Sequence, residues 1–269
     1  MQLESISHGA VKTETQHRID ICTVGRWMHH RGFVASTDGN ISVRLGADRI
    51  LMSPTCMSKG MMTPDDLVII DLDGRRVGGT RKPSSELGMH LLIYRQRPDV
   101  NAICHAHPQT ATGFAAAGIA LDKPILCELV LGLGSIPVAR YGTPGTPELA
   151  AALEPLVRDH ESILMANHGV VTYGPDLLTA FLRMETTEHF ARVSLVTELL
   201  GKQVLLSGGD VEKLVAARAR YAAGAQQAAP ASADVLTNGT GGATDRVTLT
   251  RRELDALIDE AVRRDRSVR

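Results

Sequence analysis

The sequence has almost no excess of charge: 29 Lys and Arg stand against 30 Asp and Glu in 269 residues, a formal net charge of −1. That balance excludes a global field able to recruit nucleic acid or an anionic membrane, so any anion site has to be local. Long apolar runs are missing too. The longest stretch free of Asp, Glu, Lys and Arg, Val100 to Leu121, contains His105, His107, Pro108 and Gln109. These are groups costly to bury in lipid, and no membrane span is expected. The N-terminus, Met1-Gln2-Leu3-Glu4, has no basic region ahead of an apolar core, which argues against a secretory leader. The four cysteines, Cys22, Cys56, Cys104 and Cys127, are widely spaced and form no C-x-x-C pair. Reduced thiols in a cytoplasmic protein, mostly placed in its core, are the expectation. What remains is an ordinary globular composition, 43% hydrophobic and 22% charged, in a chain long enough for one domain plus an appendage.

Periodicity places helices at 14–31, 85–95, 108–117 and 175–200, the last closed by Gly201. Thr146-Pro147-Glu148 offers an N-cap and an N1 proline for a further helix to Val157. Alternating or short apolar segments read as strands at Ile41–Leu45, Arg49–Met52, Leu67–Leu72, Asn101–His107 and Ile163–Ala166. Helix and strand therefore alternate within one domain, residues 1–222. From 223 to 247 Ala, Gly, Gln, Ser, Thr and Asn dominate, the composition of a flexible linker. Beyond it, Thr250 and Glu253 form a capping box, and Leu254, Leu257, Ile258 and Val262 make an apolar stripe on a charged helix over 248–269.

Ten histidines select nothing by number. Context selects three. His105 and His107 lie two apart in a strand, so both imidazoles point to one side of the sheet while Cys104 and Ala106 point to the other. His168, in Asn167-His168-Gly169, directly follows another strand, where a turn is able to re-aim a side chain. Three imidazoles with an open fourth position form a catalytic zinc arrangement. An H-x-H pair alone is weak evidence, because paired histidines also occur as ordinary strand residues; two apolar strands that both end at histidine strengthen it. His29 and His30 read as solvated near a helix end, and His90 and His189 as packing residues within helices.

Glu86 follows Ser84 and Ser85 at a helix start, where a carboxylate is either a favourable partner for the helix dipole or a general base near the metal. The two serines cap the helix or, with free backbone N–H groups, bind phosphate. Gly39-Asn40 and Ser53-Pro54-Thr55 are two more turns that suit a phosphate contact.

In this order, Gly39-Asn40-Ile41-Ser42, Ser53-Pro54-Thr55, Pro83-Ser84-Ser85-Glu86, His105-Ala106-His107-Pro108 and Asn167-His168-Gly169 resemble the class II aldolase/adducin family, closest to its fuculose-phosphate aldolase branch. The resemblance covers roughly residues 14–205. It implies a three-layer α/β/α sandwich around a largely antiparallel sheet, assembled as a homotetramer with active sites at subunit interfaces. It implies His105, His107 and His168 as ligands of one Zn2+, Glu86 as acid/base, and Gly39, Asn40, Thr55, Ser84 and Ser85 as contacts to the phosphate of a small sugar substrate. The reaction so implied is cleavage of a ketose or deoxyketose 1-phosphate to dihydroxyacetone phosphate and an aldehyde, through an enediolate whose charge the metal stabilises.

Departures from the family pattern keep alternatives open. Cys56 follows Thr55 where the aldolase branch commonly has glycine, so a need for positive φ there would alter the loop. Where fuculose-type aldolases use a tyrosine, this chain offers Glu128, and a methylthioribulose-phosphate dehydratase branch carries its catalytic glutamate nearby. Glu128 is therefore a second catalytic candidate, alternatively an interface or ion-pair carboxylate. A C-terminal tyrosine is another family feature, with Tyr221 as candidate. The related 4-epimerases carry Asp at the Glu86 position and Ser at that of Pro108, and the sugar-acid phosphate decarboxylases tend to carry Lys at Ser85. An adducin-like binding module would have lost the metal ligands, which this chain keeps.

Overall fold

The computed structural model describes residues 12–227. Eight strands form a single sheet: β1 (Asn40–Arg44), β2 (Arg49–Met52), β3 (Val68–Asp71), β4 (Arg76–Gly78), β5 (Ala102–Ala106), β6 (Val138–Ala139), β7 (Ser162–Met165) and β8 (Gly169–Gly174), in the order β4-β3-β2-β1-β5-β8-β7-β6. Every neighbouring pair is antiparallel except β6 and β7. The helices are α1 (Glu14–His30), α2 (Leu87–Gln96), α3 (Gln109–Ala117), α4 (Cys127–Gly132), α5 (Pro147–Leu153), α6 (Leu177–Leu199) and α7 (Gly208–Gln227).

Strand alternation sorts the core into two layers. On one face Val43, Leu51, Cys104, Ala106, Leu164 and Val170 pack under residues of α1, α3 and α6, such as Met28, Phe114 and Phe181. On the other, Ile50, Ile103, Ile163, Val171 and Tyr173 pack under Leu91, Tyr94, Leu149 and Leu153 of α2 and α5. The result is the expected α/β/α sandwich with a mostly antiparallel sheet.

Local signals set several boundaries. Thr13 and Gln16 form a reciprocal capping box for α1, Asp176 caps α6, and Thr146 accepts from Glu148 N ahead of Pro147 to start α5. That last helix ends at Leu153, short of the expected Val157. Strands β4, β6 and β8 and helices α4 and α7 were not anticipated. β8 is buried at all six positions, so it carries no period-two pattern to read. Helix α7 runs to Gln227, past the expected linker start at 223; the rest of that linker and the expected 248–269 helix lie outside the described residues.

Candidate active site

The three histidines come from two neighbouring strands. His105 lies in the fully buried β5 and His107 one residue past its end. Cys104 and Ala106 sit in the opposite core layer, as alternation requires. β5 pairs with β8, which is joined to β7 by the three residues 166–168; Met165 and Gly169 close that turn. Asn167 takes φ +56° in it, a left-handed conformation that asparagine tolerates better than most residues. His168 is thereby swung back over the end of β5. The ring centroids of His105, His107 and His168 make a near-equilateral triangle with sides of 4.9, 4.8 and 5.1 Å.

One ligand atom from each ring lies within 4.8 Å of the others. His105 Nδ1–H donates to the Val170 carbonyl at 2.9 Å, which fixes its tautomer and turns the Nε2 lone pair into the cluster. His107 Nε2 stands 3.1 Å from that Nε2, while His107 Nδ1 faces Asp38 at 3.5 Å. Burial, then the neighbouring imidazoles, lower the His107 pKa to about 4, so the ring is neutral. Helix α3, which starts at Gln109, has no side-chain cap of its own. Glu188 of α6 supplies one, accepting from Ala111 N at 2.8 Å and Thr110 N at 3.1 Å, and so anchors the turn after His107. Three imidazoles with convergent nitrogens, His105 held by the Val170 carbonyl, fit a divalent ion such as zinc.

Glu86 is the N-cap residue of α2 and is 8% exposed. Its Oε2 accepts from Asn40 Nδ2 at 2.7 Å and lies 3.1 Å from His105 Nε2; its Oε1 lies 3.2 Å from His168 Nε2 and has no hydrogen-bond partner. Burial pushes this carboxyl up, but His105 and His168 outweigh it and hold the acid well below its ordinary range. Burial in turn works to lower His105, and Glu86 outweighs it, so that imidazole is raised.

Gly39, Asn40, Thr55, Ser84 and Ser85 all line one cleft of about 280 Å³, together with Glu86, His107 and His168. Gly39 has φ +71°, and a Cβ there would stand 2.6 Å from the His105 carbonyl oxygen, so only glycine lets this turn lie against β5. Ser84 Oγ accepts from Glu86 N at 3.2 Å. Cys56 adopts φ +54°, so the loop keeps a left-handed residue without glycine, at a cost of about 1 kcal/mol. Sequence reasoning missed Thr37, Asp38, Lys59 and Pro144, which also line the cleft. Lys59 is its one Lys or Arg among the described residues, 1% exposed, with Nζ donating to the carbonyls of Thr37 (2.9 Å) and Met57 (2.5 Å). Only its place four residues after Thr55 hinted at it.

Glu128 is not brought to this cleft. It is exposed in the first turn of α4, its Oε2 accepting from Cys127 Sγ at 3.1 Å. Tyr221 lies on α7, among residues whose side chains are not described. His29 and His30 are exposed as expected, and His90 is buried and hydrogen-bonded, as a packing residue should be; His189 is exposed, against expectation. Of the four cysteines only Cys22 and Cys104 are core residues; Cys56 and Cys127 are exposed because the cleft loop and the α4 start reach the surface. Among the described residues no helix is long and apolar enough to cross a membrane.

Residues 19–195 match the family model described as the Class II Aldolase and Adducin N-terminal domain. The chain belongs to that family, and its aldolase-named relatives mark it as a carbon–carbon lyase. It is 36% identical, over 74% of its length and 93% of the relative's, to a 5-deoxy-D-ribulose 1-phosphate aldolase of Bacillus thuringiensis serovar kurstaki. It is 35% identical, over 63% of its length and 82% of the relative's, to a 3-oxo-tetronate 4-phosphate decarboxylase of Haemophilus influenzae. A solved L-fuculose 1-phosphate aldolase superposes with a TM-score of 0.71 at 28% identity, covering 77% of this chain and 96% of the other.

Proposed function

We propose that the protein is a zinc-dependent aldolase that cleaves a ketose or deoxyketose 1-phosphate to dihydroxyacetone phosphate and an aldehyde. One observation carries the reading: a single cleft holds Glu86 between the histidine triangle and the loops of Gly39, Thr55, Ser84 and Ser85. His105, His107 and His168 would hold the ion, which when bound supplies Lewis-acid stabilisation of charge on the substrate oxygens.

The chain's own residues do the rest. Backbone N–H groups and hydroxyls of the loops, with the Lys59 ammonium nearby, hold the phosphate, so remote binding energy orients the reacting ketone. During cleavage an ionised Glu86 takes up a proton equivalent to the one the hydroxyl of the cleaved carbon gives up and passes it to the enediolate carbon, and during condensation it removes that proton. Glu128 stands away from its own chain's cleft, so a catalytic role for it requires a neighbouring subunit, in the interfacial homotetramer that the family resemblance implies. The free thiols suit a reducing cytoplasm.

The test is a panel of fuculose 1-phosphate, rhamnulose 1-phosphate, 5-deoxyribulose 1-phosphate, methylthioribulose 1-phosphate, ribulose 5-phosphate and 3-oxo-tetronate 4-phosphate, with metal analysis of the purified protein. Release of dihydroxyacetone phosphate from at least one 1-phosphate is expected. Carbon dioxide release from the last substrate alone would assign a decarboxylase instead. Dehydration of the methylthio sugar, with Glu128→Gln inactive and Glu86→Gln active, would assign a dehydratase. A protein with far less than one zinc per chain after metal-replete expression would not be this enzyme.

A further inference from the structure

Behind Glu86 runs a chain of buried hydrogen bonds that the proposed chemistry does not itself use. Glu86, His90 and Tyr94 are spaced by four and share one face of the α2 segment, while Asn40 and Ser42, spaced by two, share one face of β1. The two faces interlock. Asn40 Nδ2 lies 2.7 Å from Glu86 Oε2, and Asn40 Oδ1 lies 2.5 Å from His90 Nε2. His90 Nδ1 lies 2.7 Å from Ser42 Oγ, which lies 2.9 Å from Tyr94 Oη.

The donors in this chain have one consistent direction. An ionised Glu86 only accepts, so Asn40 presents its NH2 to Glu86 and its oxygen to His90. His90 Nε2 then carries the proton, Nδ1 accepts from the Ser42 hydroxyl, and Ser42 accepts from Tyr94. Burial lowers the His90 pKa to about 3, so the ring is neutral and has one N–H to place. The opposite tautomer would turn the Asn40 oxygen toward Glu86, leaving two acceptors face to face in a buried site, which is unfavourable.

We propose that His90 is a positioning residue, which through Asn40 fixes the orientation of the Glu86 carboxylate between the histidines and the substrate. Asn40 is then a strut for Glu86 at least as much as a phosphate contact. The inference rests on the reading of Glu86 as the acid/base, and its test separates the two.

His90→Phe and His90→Gln are compared by steady-state kinetics, metal content and high-resolution crystal structures. Glutamine keeps an amide donor near the Nε2 position; phenylalanine keeps the ring without donor or acceptor. His90→Phe should lower kcat about 10–100-fold with KM within about threefold of the native protein and metal content unchanged, as for loss of a hydrogen bond that orients a catalytic ligand. His90→Gln should recover at least about tenfold of that loss. In the phenylalanine variant the Asn40 amide should turn from Glu86. A native kcat in His90→Phe, equal losses in both variants, or an unmoved Asn40–Glu86 contact would overturn the proposal. If the native protein turns over nothing in the panel, the functional reading fails, and the crystallographic contact still decides the strut. If His90→Phe does not fold, Ser42→Ala tests the next link, with a smaller fall in kcat expected at unchanged KM; a native kcat there counts against the chain.

Discussion

Gly169 and His107 are in contact across the β5–β8 pair so closely that a Cβ on the glycine would stand 2.5 Å from His107 Cδ2. The same Cβ would stand 2.6 Å from the Ala106 carbonyl oxygen and 3.3 Å from His105 Cε1. The absent side chain is what allows the end of β8 to pass beneath two of the three imidazoles. Gly169→Ala should therefore displace the His107 ring and weaken metal affinity about 10–100-fold while the fold survives. Competition with a chelating dye measures the first, circular dichroism the second.

Glu86→Gln keeps the size of the side chain and removes the proposed acid/base. Turnover of the best panel substrate should fall about 100- to 10,000-fold with metal content near that of the native protein. By contrast, His168→Ala should lose metal and activity together, and added zinc should not restore it. Metal analysis beside kinetics separates the two behaviours.

Ser84→Ala combined with Ser85→Ala removes two hydroxyls from the cleft, at the proposed phosphate site. KM should rise about tenfold or more, with a smaller change in kcat, as expected of groups proposed to bind substrate and transition state alike. A fall in kcat at constant KM would place the serines at the reacting end instead.

Lys59 makes a stability prediction with a definite sign. Burial lowers its ammonium from 10.5 to about 8, against Asp38, which works to raise it. Between those values the unfolded chain binds more protons than the folded one, so this residue's contribution to stability increases as pH rises. In urea titrations the native protein should gain on Lys59→Met between pH 8 and 10.5, by up to about 3 kcal/mol. A difference that stays flat across that range, or falls, would contradict the buried placement of the ammonium.

The pieces of the site were legible as residue types. His105 and His107 on one face of a strand, and Glu86 after Ser84 and Ser85 at a helix start, follow from periodicity and capping, which act over four residues or fewer. The strand carrying Gly169 was not legible, because burial on both faces erases alternation. Lys59 escaped notice because a lysine after a turn reads as solvated until the carbonyls of Thr37 and Met57 are seen around it. His189 misled for the same reason in reverse: an imidazole on a helix looks packed until its surroundings are known.

The sequence by itself determined the α/β alternation, the caps of α1, α5 and α6, the two-layer sorting of β5, and the residue types available for chemistry. All of these depend on chain neighbours. Only the tertiary structure decided that Asn40 would pair in register with His105, that the 166–168 turn would swing His168 over β5, and that Glu86 would meet His90 through Asn40. Those contacts join residues tens of positions apart, and strand order and helix packing, not local preference, bring such residues together.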